Sequence, residues 1–218
     1  MRQSQRMPSL LLAAVVGIGI SGAAIAQLPV RGAANSSVVI SAAAAAGVPS
    51  NSVDCVYTMM SPEDREMALL LLEREAASDV KSHSGSRNLK VLARLMDEAR
   101  AKCSAPYKWS SVSSDAAMGY AMNVLMSTGL SQTLEAKGQK TEQIDEYYAK
   151  HRTDLAGIEN ITGTKADEFK NYLNQSGWVK SDPSLLRLAN YYLEALIARE
   201  QPNQTFAAAS GSRVYRRN

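Results

Sequence analysis

Three methionines form the most distinctive chemical pattern in the sequence. Met118, Met122 and Met126 recur at every fourth position, so they share one face of a predicted helix. Thioether sulfur is a soft ligand suited to Cu(I), and flexible methionines also suit a groove for a peptide or lipid. Methionine fills irregular gaps in helical cores as well, and no histidine or cysteine joins this row. We therefore interpret the row as core, with periplasmic copper binding as an alternative, and we predict no cofactor.

The histidines and carboxylates form no active-site motif. His83 falls in a polar loop, whereas His151 follows Tyr147 by one helical turn and is expected to stack on it. Neither histidine has a partner at the spacing of a zinc motif. An acid pair can hydrolyse glycosides, but the acids here alternate with Arg and Lys, which is typical of solvated helix faces. Catalysis is therefore not predicted, and an envelope hydrolase acting on cell-wall glycan or peptide is an alternative.

The two cysteines are better suited to structure than to redox chemistry. Cys55 and Cys103 are the only cysteines, and two predicted helices lie between them. They lack the C-x-x-C spacing of redox pairs, and their number is even. In an antiparallel helix pair both positions fall at the open end. We predict a disulfide that clamps this pair.

The N-terminus predicts export. Residues 1–26 combine a basic start, a short apolar centre and a small-residue end, which is the pattern of a cleaved signal peptide. Cleavage would remove Arg2 and Arg6 and leave 22 basic against 21 acidic residues, so no basic surface for nucleic acid is expected. Residues 27–52 are rich in Ala, Gly and Ser and predict a flexible leader. The rest of the sequence has no second long apolar run, so no transmembrane segment is predicted after cleavage.

Apolar residues recur at helical spacing through most of the remaining chain. In the first predicted helix, Met67, Ala68, Leu70 and Leu71 are expected to form the buried stripe, and the run of four leucines suggests cover on more than one side. Caps, prolines and glycines set the boundaries. The predicted helices are 61–78, 86–103, one from 113 or 114 to about 137, one from Thr141, one from Thr164 to Gly177, and one from 181 or 182 to Pro202, with a break at 104–109.

The predicted architecture is all-α: a single-domain bundle of five to six helices with a disulfide-clamped N-terminal helical hairpin. The domain covers residues 53–201, and 202–218 form a loose C-terminal tail. The third helix has no charge between Asp115 and Glu135, so we place it at the centre of the bundle.

Function is predicted only in outline. We expect an exported, periplasmic or secreted helical module that binds an unknown envelope protein or a small ligand, without nucleic acid. Large amphipathic rings are enriched at recognition surfaces, although they also serve in packing. The candidate binding residues are Tyr107, Trp109, Tyr147, Tyr148 and Trp178.

Overall fold

A computed structural model describes residues 49–76, 86–178 and 182–211 of the chain. These ranges contain eight α-helices and no β-strand, which confirms the predicted all-α bundle and adds two helices to its count. The signal-peptide prediction, most of the predicted leader and His83 lie outside the described residues. The helices are α1 Cys55–Met59, α2 Pro62–Ala76, α3 Arg87–Tyr107, α4 Ser111–Ala136, α5 Glu142–Leu155, α6 Gly163–Gln175, α7 Pro183–Ile197 and α8 Glu200–Gly211.

Three helices start at boundaries predicted from the sequence, and each start has a side-chain cap. The Ser61 hydroxyl accepts a hydrogen bond from the Asp64 amide (3.0 Å), and the Ser86 hydroxyl accepts one from the backbone of α3. Asp182 accepts from the Ser184 amide (2.8 Å) ahead of a proline at the first position of α7. Each side chain satisfies a donor that the helix itself leaves unpaired.

Other boundaries differ from prediction. Helix α1 was not predicted, and α3 continues through Pro106 to Tyr107 instead of breaking at residue 104. Proline has a φ close to the helical value, and near the end of a helix it removes only one hydrogen bond, at an exposed turn. Helix α6 has Thr162, not Thr164, at its N-cap.

The predicted loose tail is wrong for residues 202–211. Helix α7 ends at Ile197, and α8 begins at Glu200 with Pro202 in its first turn, where a missing N–H costs little. Phe206 of α8 is buried in the core with 5% of its surface exposed. The sequence was misinterpreted because a proline can start a helix as well as end one. Residues 212–218 lie outside the described part of the chain.

Helix α4 lies at the centre of the bundle, as predicted, and packs against α1, α2, α3, α7 and α8. Its N-terminal half contributes to one apolar cluster with α1, α2, α3 and Phe206, and its C-terminal end contributes to a second cluster with α5, α6 and α7. Two glycines of α4 face neighbouring helices, and a Cβ at either position would make an ordinary van der Waals contact. A Cβ at Gly119 would lie 3.6 Å from Pro202 of α8, and one at Gly129 would lie 3.5 Å from Leu69 of α2.

The predicted disulfide is present. Cys55 and Cys103 are joined, with their Cα atoms 6.1 Å apart, and neither residue has any exposed surface. The bond ties α1 to the last turns of α3. Because α1 is only five residues long, it is too short to be stable on its own, and the covalent link holds it against the bundle.

Removing the disulfide should lower the stability of the bundle without unfolding it at 25 °C. A closed loop of 48 residues predicts a loss of about 4 kcal/mol in unfolding free energy in the chain-entropy model. We expect the Cys55→Ser, Cys103→Ser double variant to melt at a lower temperature in calorimetry while it keeps its helical circular dichroism at 25 °C. A reductant that leaves the melting temperature of the native chain unchanged would contradict this expectation.

Truncating Phe206 tests the packing of α8. Phe206→Ala should lower the unfolding free energy by about 3 kcal/mol in urea titration, because a buried ring is lost and a cavity remains. Gln204→Ala is the matched control on an exposed turn of the same helix and should change stability by no more than about 0.5 kcal/mol. Equal stability of both variants would show that α8 does not pack in solution.

Candidate functional site

Two of the predicted binding residues, Tyr107 and Trp109, hold the chain that precedes α1. The Tyr107 hydroxyl donates to the carbonyl oxygen of Pro49 (2.6 Å), and the Trp109 indole N–H donates to the side-chain oxygen of Asn51 (2.8 Å). The Trp109 ring also meets Phe206 edge to face, with centroids 5.0 Å apart. Tyr107 therefore links the end of α3 to the residues before α1, and Trp109 links these residues to α8.

Tyr147 and Trp178 lie inside the second apolar cluster. Tyr147 is 3% exposed, and its ring contacts those of Phe169 and Tyr172. The predicted stacking of His151 on Tyr147 is confirmed, with ring centroids 4.4 Å apart. Trp178 is 6% exposed, and its indole N–H donates to a glutamine side chain on α5 (3.1 Å). These two residues help to pack α5 against α6.

Tyr148 takes part in a polar contact between α5 and α8. Its hydroxyl donates to one carboxylate oxygen of Glu200 (2.6 Å), and the Arg152 guanidinium donates to the other (2.7 Å). Burial opposes ionisation of Glu200, but the bonds from Arg152 and Tyr148 outweigh it and lower the pKa of this carboxyl. Burial, reinforced by the carboxylate, raises the pKa of Tyr148.

A second polar contact lies beside it, at the corner between α7 and α8. The Arg199 guanidinium donates to the buried Ser127 hydroxyl of α4, and the buried Asn123 amide donates to the carbonyl oxygen that precedes Arg199 (2.7 Å). Tyr192 of α7 donates to Asp145 of α5 (2.9 Å), and desolvation of the carboxyl raises the pKa of Asp145. These bonds connect α4, α5, α7 and the start of α8, although the buried Nε of Arg199 has no partner among the described residues.

The methionine row packs as part of the bundle. Met118 and Met122 contact the first apolar cluster, and Met126 is also partly buried. Among the described residues, no three His, Cys, Asp or Glu side chains come together to hold a metal ion.

The largest departure from the sequence interpretation is an exposed surface on α2. Met67 is 46% exposed and Leu70 is 41% exposed, so two of the four residues assigned to the buried stripe face solvent. Only Ala68 and Leu71 of that stripe are buried. Large apolar side chains exposed at adjacent turns leave apolar surface in water, and a contact with another molecule would remove that surface.

Charged residues extend this surface along the helix. Glu63 lies one turn before Met67, and Arg74 lies one turn after Leu70; both are exposed. We name Glu63, Met67, Leu70 and Arg74 the α2 surface. Their spacings of four, three and four residues place them in one row along the helix, as in the contact seam of a coiled coil.

The sequence shows that α2 is apolar on several sides, but it does not show which of these sides stays exposed. Leu69 to Leu72 cover all sides of a helix, which predicts burial all round. In the described part of the chain, α2 packs mainly against α3 and α4, and the sides that meet these helices are buried. Which side stays open depends on the position of the neighbouring helices.

No protein-family model matches the chain, and comparisons with curated proteins and with solved structures found no match. In the ranges that the structure describes, no helix combines the length and hydropathy needed to cross a membrane.

Removing the Tyr148 hydroxyl tests the contact between α5 and α8. Tyr148→Phe should lower the unfolding free energy by about 1.5 kcal/mol at neutral pH, because a hydrogen bond to a charged group is lost. Because the pKa of Glu200 is lower in the folded than in the unfolded state, the ionised carboxylate stabilises the fold at pH values above the unfolded carboxyl pKa. This stabilisation is lost as the pH falls through the folded pKa. The difference between variant and wild type should therefore shrink in acid. Tyr191→Phe, which removes a hydroxyl not bonded to Glu200, is the control, and a pH-independent difference would contradict the assignment.

Proposed function

We propose that this protein is an exported helical binding module of the cell envelope that acts through the α2 surface. The observation that carries the proposal is the exposure of Met67 and Leu70 on adjacent turns of a helix whose opposite sides pack against α3 and α4. The predicted aromatic binding residues, in contrast, make contacts within the chain. The α2 surface is thus the better candidate for contact with another molecule.

The shape and charge of the α2 surface favour a helical partner. Side chains spaced by four, three and four residues form a narrow apolar row that a second helix can pack against. The charged residues at its two ends, Glu63 and Arg74, have opposite signs. A partner helix with an apolar centre and charges of opposite sign at its ends would satisfy both features.

Export is supported by two features of the chain. Residues 1–26 have the composition of a cleaved signal peptide, and the buried disulfide is of a kind that persists in oxidising compartments. A periplasmic or secreted location follows from this proposal. The alternatives of an envelope hydrolase and a copper-binding protein have no further observation in their favour.

Site-specific crosslinking tests the proposed surface without assuming the partner. A benzophenone side chain at position 66, on the flank of the α2 surface, should give a crosslinked product when the purified protein, at about 1 mM so that a weakly bound partner is populated, is irradiated with the envelope fraction of its source cells. The same group at position 204, on an exposed turn of α8, should give none. The Met67→Ser, Leu70→Ser double variant should lose at least three quarters of the product from position 66.

Matched variants separate binding from folding. Val112 is 52% exposed on α4, so Val112→Ser removes an exposed apolar side chain outside the α2 surface and should leave the crosslink unchanged. All of these substitutions are at exposed positions and should shift the unfolding free energy by no more than about 0.5 kcal/mol. Equal crosslinking from positions 66 and 204, or none from either, would exclude the proposed surface.

A further inference from the structure

We propose that the partner of the α2 surface is the α2 helix of a second copy of this chain, packed antiparallel. This inference rests on the proposed function and names its partner. It comes from the symmetry of the exposed row. The midpoint of that row falls between Ala68 and Leu69, and each exposed residue on one side has its complement at the same distance on the other.

The symmetry pairs apolar with apolar and acid with base. Met67 and Leu70 are equally far from the midpoint, and so are Glu63 and Arg74. When two α2 helices run in opposite directions about this point, Met67 of each lies against Leu70 of the other. Glu63 of each then lies beside Arg74 of the other. A two-fold dimer requires such a self-complementary surface.

The geometry of α2 permits this pairing. The helix has 15 residues and is therefore about 22 Å long, and the row from Glu63 to Arg74 covers three of its turns. All four side chains of the α2 surface are exposed, so no rearrangement of the bundle is needed to reach them. Two apolar layers flanked by two ion pairs would form the contact.

The contact is small, and like charges on one side of the row repel each other across it. Glu66 and Glu73 lie seven residues apart on one side of the row, and in an antiparallel pair that side faces its own counterpart. Exposed ion pairs contribute little, and the buried area is well below that of a standard interface. We therefore expect a dissociation constant of about 0.1–1 mM, in the range of weak association.

Exchanging the two charges tests the antiparallel pairing. Sedimentation equilibrium of the purified protein at up to about 2 mM should show a monomer–dimer equilibrium. E63R places two arginines together and R74E places two glutamates together, so each should raise the dissociation constant at least fivefold. The double variant E63R/R74E restores both pairs and should return to within about twofold of the wild-type value.

A mixture of the two single variants is the most specific measurement. In an antiparallel dimer of E63R with R74E, both charge pairs have opposite signs, so the equimolar mixture should associate like the wild type although neither variant does so alone. E66Q/E73Q removes the opposing charges and should strengthen association at least twofold. Melting temperatures of all variants serve as the folding control.

Other outcomes would overturn this inference, and the crosslinking experiment shows whether the proposed function fails with it. A wild-type protein that stays monomeric at 2 mM, or a mixture that does not recover association, excludes the second copy as partner. If the crosslink from position 66 then contains a different protein, the binding function stands and only the partner was wrong. If that crosslink is also absent, the proposed function fails too.

Discussion

The burial of α4 on all its sides is the constraint from which the rest of the bundle follows. From residue 116 to residue 131 no position of this helix is exposed. A helix that is apolar nearly all round is stable in water only when other helices surround it. Five helices do so, in two groups that meet along α4. The disulfide and the polar contacts between helices act on this arrangement and do not create it.

Buried polar groups on α4 fix how the C-terminal helices attach to it. The Asn123 side chain donates to the backbone at the corner between α7 and α8, and Ser127 accepts a hydrogen bond from Arg199 at the same corner. An apolar contact alone would tolerate sliding along the helix, whereas a buried polar group without its partner is costly. These bonds therefore set the position at which the chain turns from α7 into α8.

The exposed row on α2 is a consequence of the same arrangement. Helix α2 packs on the α4 side through Leu69 against Gly129, and Ala68 and Leu71 are buried in the first apolar cluster. With these sides occupied, Met67 and Leu70 are left facing solvent. A helix that must pack on two neighbours but is apolar on three sides has one side available for a contact outside the bundle.

The sequence by itself determined the helical class, the central position of α4, the disulfide and the starts of α2, α3 and α7. Each depends on composition or on residues within one turn, and the cysteine pair had only one possible connection. Two predicted boundaries were wrong because of prolines. Pro106 lies within the last turn of α3 and Pro202 within the first turn of α8, and the local sequence does not show whether a proline stops a helix or is tolerated near its end.

Only the tertiary structure decided which large side chains are available for binding. Tyr147 and Trp178 are residue types enriched at recognition sites, but they are buried. Met67 and Leu70 have the spacing of a buried stripe, but they are exposed. Spacing along a helix shows that residues share a face, but the neighbouring helices determine whether that face is covered. Those neighbours come from parts of the chain that are distant in sequence, and their positions are set by packing around α4.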